Sequence, residues 1–227
     1  MILAIIPARS GSKRIKNKNI KIFNGKPIIG HVIENLKKIN LFDRIIVSTD
    51  SERIAKISKK YGAETPFLRS KKLSNDYVAT KEVIRDTIKK LKLNSKNDYV
   101  CCIYPTSVFV KQKYLKIAIK NILKRDEFFF SAKKFQHPIQ RSFYKKNKLY
   151  FFNKKLIKTR TQDLTEYYHD AAQFYFAKVK TWQTKDIINP SSNFIEIPIN
   201  ECQDVDTLED WKVAEILWKY LKKNHKI

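Results

Sequence analysis

The chain has 227 residues, 43% of them hydrophobic, enough to bury one large core. Its 47 basic residues outweigh 22 acidic ones, for a net charge of +25. That balance suits anionic partners, but only nine of the 47 are arginine and the lysines run through every helical segment instead of forming one stripe. With no aromatic RNA-binding signature and no helix-turn-helix, the charge does not make a nucleic-acid module; it can draw in anionic small molecules.

No stretch approaches the ~20 apolar residues of a membrane span. The opening Met1 to Ile6 run meets Pro7 and a charged loop instead of a signal-peptide cleavage region. A cytoplasmic protein without a membrane partner is expected. Cys101 and Cys102 lie side by side in an apolar run and Cys202 stands apart. That spacing suits neither metal ligation nor a disulfide framework, so all three read as small core residues.

Apolar runs alternate with helical periodicity over the first 130 residues, the pattern of a mostly parallel sheet covered by helices. The fold class is α/β. Ile2 to Ile6 is the first strand, and Pro27 opens a helix carrying Ile28, Ile29, Val32, Ile33, Leu36 and Ile39. Ile45 to Val47 is the second strand. Ser51 to Tyr61 is a helix with Ser51 as its N-cap and Gly62 just past its end. Two more helices cover Thr80 to Leu91 and Lys111 to Leu123, and between them Tyr99 to Ile103 has the continuous apolar character of a central strand.

From Phe128 the texture changes to short aromatic stretches, Phe128 to Ser131, Leu149 to Phe152 and Gln173 to Ala177, which read as an antiparallel excursion. Phe194 to Pro198 returns to a strand, and Leu208 to Leu221, with Trp211, Val213, Ala214, Leu217 and Trp218, closes the chain as an amphipathic helix. One domain over 1–227 is expected, with an insertion over 131–180.

Three places carry chemistry. The first is the loop Ala8 to Asn19, directly after the first strand, where α/β folds place ligands. Ser10, Gly11 and Ser12 allow a phosphate to approach the backbone N–H groups, and Arg9, Lys13, Arg14 and Lys18 supply fixed charge. The loop is neither GxGxxG nor a P-loop, and on composition alone it also reads as a solvated basic loop.

The second is Gln203 to Thr207, where Asp204 and Asp206 sit two apart on an extended stretch and point to one side. Such a pair suits a magnesium ion shared with substrate phosphates. Equally, Asp206 or Thr207 can cap the last helix, with Glu209 and Asp210 in its first turn. The third is Arg160 to Asp163 with Tyr168 to Tyr175, a density of hydrogen-bonding groups that fits a polyhydroxylated ligand. There too His169 and Asp170 can pair with each other in a turn, with the aromatics in the core.

With these places marked, the chain resembles the cytidylyltransferases that activate acidic ulosonic sugars, and within them the pseudaminate branch. The likeness spans nearly the whole chain. Ala4 to Arg14 with Lys18 and Asn19 is similar to the family's signature loop, Phe42 to Asp50 to its second strand, and Asp204 to Thr207 to its metal segment. The resemblance implies a Rossmann-like three-layer α/β/α fold, a homodimer in which the insertion reaches the partner, and CTP and an acidic nonulosonic sugar as substrates.

Carried across, it implies that Arg9, Ser10, Gly11, Ser12 and Lys18 hold the triphosphate and that Asn19, Arg69 and Thr80 hold the cytidine end. Asp204 and Asp206 would bind Mg2+, and Arg9, Lys18 and Asp206 would be the catalytic groups. For the sugar it implies Tyr104, Thr106, Arg160, Gln162, His169, Asp170 and Gln173. Tyr104 stands where the sialic acid enzymes have a glutamine that touches the sugar, which turns the expected substrate away from N-acetylneuraminate.

Overall fold

A computed structural model describes residues 1–224. Its elements in chain order are β1 (Ile2–Pro7), β2 (Ile22–Phe23), β3 (Lys26–Pro27), α1 (Ile28–Ile39), β4 (Arg44–Ser48), α2 (Glu52–Lys60), α3 (Thr80–Lys90) and β5 (Tyr99–Ile103). There follow α4 (Gln112–Ile122), β6 (Phe129–Lys134), β7 (Phe143–Lys145), β8 (Leu149–Phe151), β9 (Tyr168–Lys178), α5 (Val179–Thr184), β10 (Asn193–Glu196) and α6 (Leu208–Lys223).

Six strands make the main sheet, in the order β10-β6-β9-β5-β1-β4. The pairs of β1 with β4 and with β5 are parallel, in register at Ala4 with Ile45 and Cys101. The sheet is mostly parallel, as its first half suggests: five of its six strands run one way, and β9 is antiparallel to both β5 and β6. Alternation sorts the side chains into two layers. Leu3, Ile5, Ile46, Val100, Cys102 and Tyr175 meet Ile84 and Ile88 of α3 and Trp182 of α5. Ala4, Ile6, Val47, Cys101, Ile103 and Phe174 meet α1, α4 and α6. The result is the expected three-layer α/β/α arrangement, and all three cysteines are buried and free.

Local chemistry explains the boundaries. Ser51 caps α2 by accepting from the Ile54 N–H at 3.4 Å. Gly62, just past that helix, has φ +96°, the left-handed conformation for which glycine has no steric cost. On α6 the buried face is narrower than its apolar pattern: Trp211, Ala214 and Leu221 are buried, whereas Leu208 and Val213 stay half exposed. Trp211 and Trp218 pack edge-on against Phe23, with centroids 5.5 Å and 6.2 Å away.

The stretch 131–180 does not leave the sheet as a unit. Its two ends are β6 and β9, both paired inside the sheet. What projects is an arm over residues 135–167, closed at its base by the Phe135 N–H donating to the Tyr167 carbonyl at 2.9 Å. The arm holds the β7-β8 hairpin. β9 begins five residues earlier than the apolar pattern indicates and carries a register shift opposite Phe130 and Ala132, with Ala172 at φ +52°. Among the described residues no helix is long and apolar enough to cross a membrane.

Candidate active site

Because β1, β4 and β5 run parallel, their carboxyl ends open on one edge of the sheet, and the chain leaves β1 for a neighbour on each side in turn. A ligand crevice belongs at such a switch point. A cleft of about 350 Å³ lies there, lined by the loop after β1, the start of α3, the segment after β5 and the segment before α6.

The loop after β1 is built, not slack. The Ser10 N–H and Oγ both bond the Asp50 carboxylate, at 2.8 Å and 2.7 Å, which ties the loop to the end of β4. Ile15 is buried in the core, and Asn19, also buried, donates to the Arg9 carbonyl at 2.9 Å. Arg9, Ser12, Lys13, Arg14, Lys18 and Asn19 thereby face the cleft. Ser10 and Gly11 stand in the same loop without lining it; a β-carbon at Gly11 would meet no atom of the chain. The smallness of Gly11 is therefore not demanded by the protein's own packing and leaves that side of the loop open to a ligand.

Asp204 and Asp206 line the opposite wall. The capping role falls to their neighbours: Thr207 accepts from the Asp210 N–H, and the Asp210 carboxylate reaches back to the Thr207 N–H at 2.7 Å, a reciprocal capping box. The Asp206 N–H also donates to the Asp210 carboxylate, at 3.1 Å, but the Asp206 side chain is left free of the cap. Its two oxygens meet Arg14 at 2.9 Å and Lys18 at 3.2 Å, and Lys18 also donates to the Val205 carbonyl at 2.6 Å. Burial, and next the Asp206 charge, push the Asp204 carboxyl above its ordinary value. Among the described residues no cluster of three or more metal-type ligands forms. Two carboxylates on one wall, facing a loop rich in cations, have the chemistry of a hard-cation site whose remaining ligands would come from a bound anion.

At the far end of the cleft Arg69 is 5% exposed, its Nε held by Ser74 Oγ at 3.1 Å. Burial draws its guanidinium below the ordinary value, with Asp50 opposing. Thr80, at the first turn of α3, hydrogen-bonds the Tyr104 hydroxyl at 2.9 Å. Tyr104 in turn lies against Tyr175, ring centroids 5.6 Å apart, and the Tyr175 hydroxyl donates to Asp170. Burial pushes Tyr104 up to about 12, so it stays a neutral hydrogen-bonding group.

The comparisons with known proteins fall on this geometry. The family model described as cytidylyltransferase matches residues 3–208, which include every residue lining the cleft. The chain belongs to the cytidylyltransferase family. It is 43% identical over 222 residues to a pseudaminic acid cytidylyltransferase of Campylobacter jejuni, covering 96% of each chain. It is 40% identical over 123 residues to a CMP-N,N'-diacetyllegionaminic acid synthase of Legionella pneumophila, covering 52% of each. The solved structure of CMP:2-keto-3-deoxy-manno-octonic acid synthetase complexed with CTP shares the fold, with TM-score 0.71, 14% identity, and 96% and 98% of the two chains covered.

Within this cytidylyltransferase, Tyr104 and Thr106 line the cleft, whereas the other expected sugar residues are dispersed. Asp170 is linked to the cleft through Tyr175 and Tyr104. His169, on β9, turns its Nδ1 to the Asp170 backbone carbonyl at 3.0 Å and its ring toward Phe135, so the two residues do not pair through the carboxylate. Gln173 is buried, donating to the Glu201 carbonyl at 2.9 Å, with its Oε1 unpartnered among the described residues. Arg160 and Gln162 belong to the arm: Arg160 pairs with Asp163 at 2.8 Å, and Gln162 lines a separate cleft of about 510 Å³. Sequence reasoning missed Asp50, which anchors Ser10, and Asp76, which meets Arg9 at 2.5 Å and Lys13 at 2.6 Å. Neither has a local signal, since each acts on a loop at least forty residues away.

Proposed function

We propose that this cytidylyltransferase couples CTP to pseudaminic acid, forming CMP-pseudaminic acid and pyrophosphate in the cytoplasm. The observation that carries the reading is 43% identity over 96% of both chains to a protein named for that activity, joined to a cleft that gathers Arg9, Lys18, Asp204 and Asp206. The sugar's anomeric hydroxyl attacks the α-phosphorus of CTP, and pyrophosphate leaves in line. No covalent enzyme intermediate is needed, so the residues act by positioning and charge. Arg9, Ser12 and Lys18 hold the phosphates while Asn19, Arg69 and Thr80 hold the cytidine end. Asp206 eases removal of the proton from the attacking hydroxyl. Asp204 and Asp206 would hold Mg2+, which when bound supplies further neutralisation of phosphate charge.

The same reading takes the chain as a homodimer. The hairpin of the arm exposes Phe143, Tyr144, Leu149 and Phe151, apolar surface that a partner subunit would cover. In that assembly Arg160 and Gln162 serve the partner's cleft, which accounts for their distance from their own. His169 and Gln173 belong with the sugar as well. Replacing His169 with alanine is expected to raise the KM for the sugar roughly three- to tenfold, about one hydrogen bond, with the KM for CTP little changed. Steady-state kinetics with each substrate varied in turn checks this; equal rises in both would remove His169 from the sugar site.

The deciding experiment measures pyrophosphate release from CTP and magnesium with pseudaminate, N-acetylneuraminate, legionaminate and Kdo supplied separately. Release with pseudaminate alone is expected. Release with another sugar overturns the specificity, and silence with all four, together with a steep salt dependence of binding to nucleic acid, would turn attention to the basic surface.

A further inference from the structure

All four flexible cations at the mouth of the cleft are engaged by just two carboxylates. Asp206 takes Arg14 and Lys18, and Asp76 takes Arg9 and Lys13. Asp206 has a neighbouring carboxylate with which to share a cation. Asp76 has none: it sits on the loop between Ser74 and α3, beside Tyr77, which is 98% exposed. Each of its oxygens meets a different cation, Oδ1 with Arg9 at 2.5 Å and Oδ2 with Lys13 at 2.6 Å. Two anionic oxygens bridging two cations is also how a phosphate edge would meet the same pair.

We infer that Asp76 is an internal counter-ion that the pyrophosphate end of the nucleotide must displace from Arg9 and Lys13. It therefore sets how tightly a polyphosphate is held and how readily pyrophosphate leaves. The inference rests on the CTP-dependent reading above. Its physical basis is competition. Arg9 and Lys13 cannot give their full charge to a phosphate while paired with Asp76, and a carboxylate left beside a bound phosphate repels it. Exchange is cheap because the pairs are solvated: the Lys13 side chain is 83% exposed, and Arg9 and Asp76 about a third exposed. Lys13, and then Arg9, hold the Asp76 carboxyl below the ordinary carboxylate range, so it is charged when nucleotide arrives. The loop also has a fixed side, since Ser74 is bonded to Arg69 and Asn75 accepts from the Tyr77 N–H at 2.9 Å.

The opposite role for Asp76 is to hold Arg9 and Lys13 in place for the phosphates, and the two roles differ in sign. Titration calorimetry on the full chain, in magnesium-free buffer, compares CTP, pyrophosphate and cytidine on the parent protein and on Asp76→Asn. The expected result is CTP and pyrophosphate bound roughly three- to tenfold more tightly by the variant, the scale of two exposed ion pairs, and cytidine unchanged. Equal or weaker binding of pyrophosphate by the variant overturns the inference, and so does a tightening shared by cytidine, which would reflect loop conformation instead of charge. Asp76→Ser, with both variants followed by thermal unfolding, keeps the comparison open if Asn disturbs the fold. If the parent protein binds pyrophosphate but not CTP, the proposed function fails while the Asp76 comparison still stands.

Discussion

Replacing Asp206 with alanine is expected to lower turnover by about 10²- to 10³-fold, the scale on which one preorganised charged contact to a transition state acts, while the protein stays folded. The retention of fold follows from the separation of roles before α6. Thr207 and Asp210 close the helix, joined by the Asp206 backbone N–H that an alanine keeps, and the Asp206 side chain contributes only ion pairs to Arg14 and Lys18 at 42% exposure. Pairs of that kind are worth at most about 1 kcal/mol each, so the unfolding midpoint should move by only a few degrees. Under the proposed mechanism turnover has no such reserve, because Asp206 shares a wall with Asp204 and faces the basic loop after β1. Asp206→Asn separates shape from charge: it should lose nearly as much rate as alanine. A variant of either kind that works near the parent rate would remove Asp206 from the chemistry, leaving it as a partner for Lys18.

The second large effect lies in the opposite layer. Trp182 of α5 is completely buried, edge-on to Phe128 with centroids 4.8 Å apart, and its indole N–H donates to the Val100 carbonyl at 2.9 Å. Alanine there removes the largest side chain of that layer and leaves a void between α3 and β5. The expected cost is about 3–5 kcal/mol, a large share of the ~5–15 kcal/mol that holds a domain folded. Urea unfolding should show the midpoint falling with the slope unchanged. A loss under about 1 kcal/mol would mean that the layer collapses onto the gap, and that Trp182 is a filler and not a fixed strut.

Much of this was legible in the sequence because the strongest signals are local. The run Tyr99 to Ile103 is buried on both faces, as its unbroken apolar character requires, and Ser51 caps α2 where the spacing places it. At Asp204 to Asp210 the capping reading holds through Thr207 and Asp210, which leaves the Asp204 and Asp206 side chains on the wall of the cleft. The failures have physical causes. The sequence pattern starts β9 only at Gln173 because the bulge at Ala172 breaks the period-two alternation, so Tyr168 to Ala171 look like loop. The antiparallel direction of that strand agrees with its sequence pattern, but the strand lies inside the main sheet and not in a separate excursion. Asp76 was illegible because Coulomb partners 63 and 67 residues away carry no sequence period. The arm residues Arg160 and Gln162 are on one chain far from its cleft, where no property of that chain's local sequence gives their address.

The closure of the arm at its root has a consequence of its own. Because Phe135 and Tyr167 are bonded across the base and β6 and β9 are paired below them, everything between is a plug-in segment whose ends already meet. Doubling the length of such a loop adds only about 0.6 kcal/mol of closure entropy, and none of its residues is needed to complete the main sheet. The sheet and the loop after β1 can therefore stay constant while the segment is rewritten, so that a change in the surface the arm presents does not require a new scaffold.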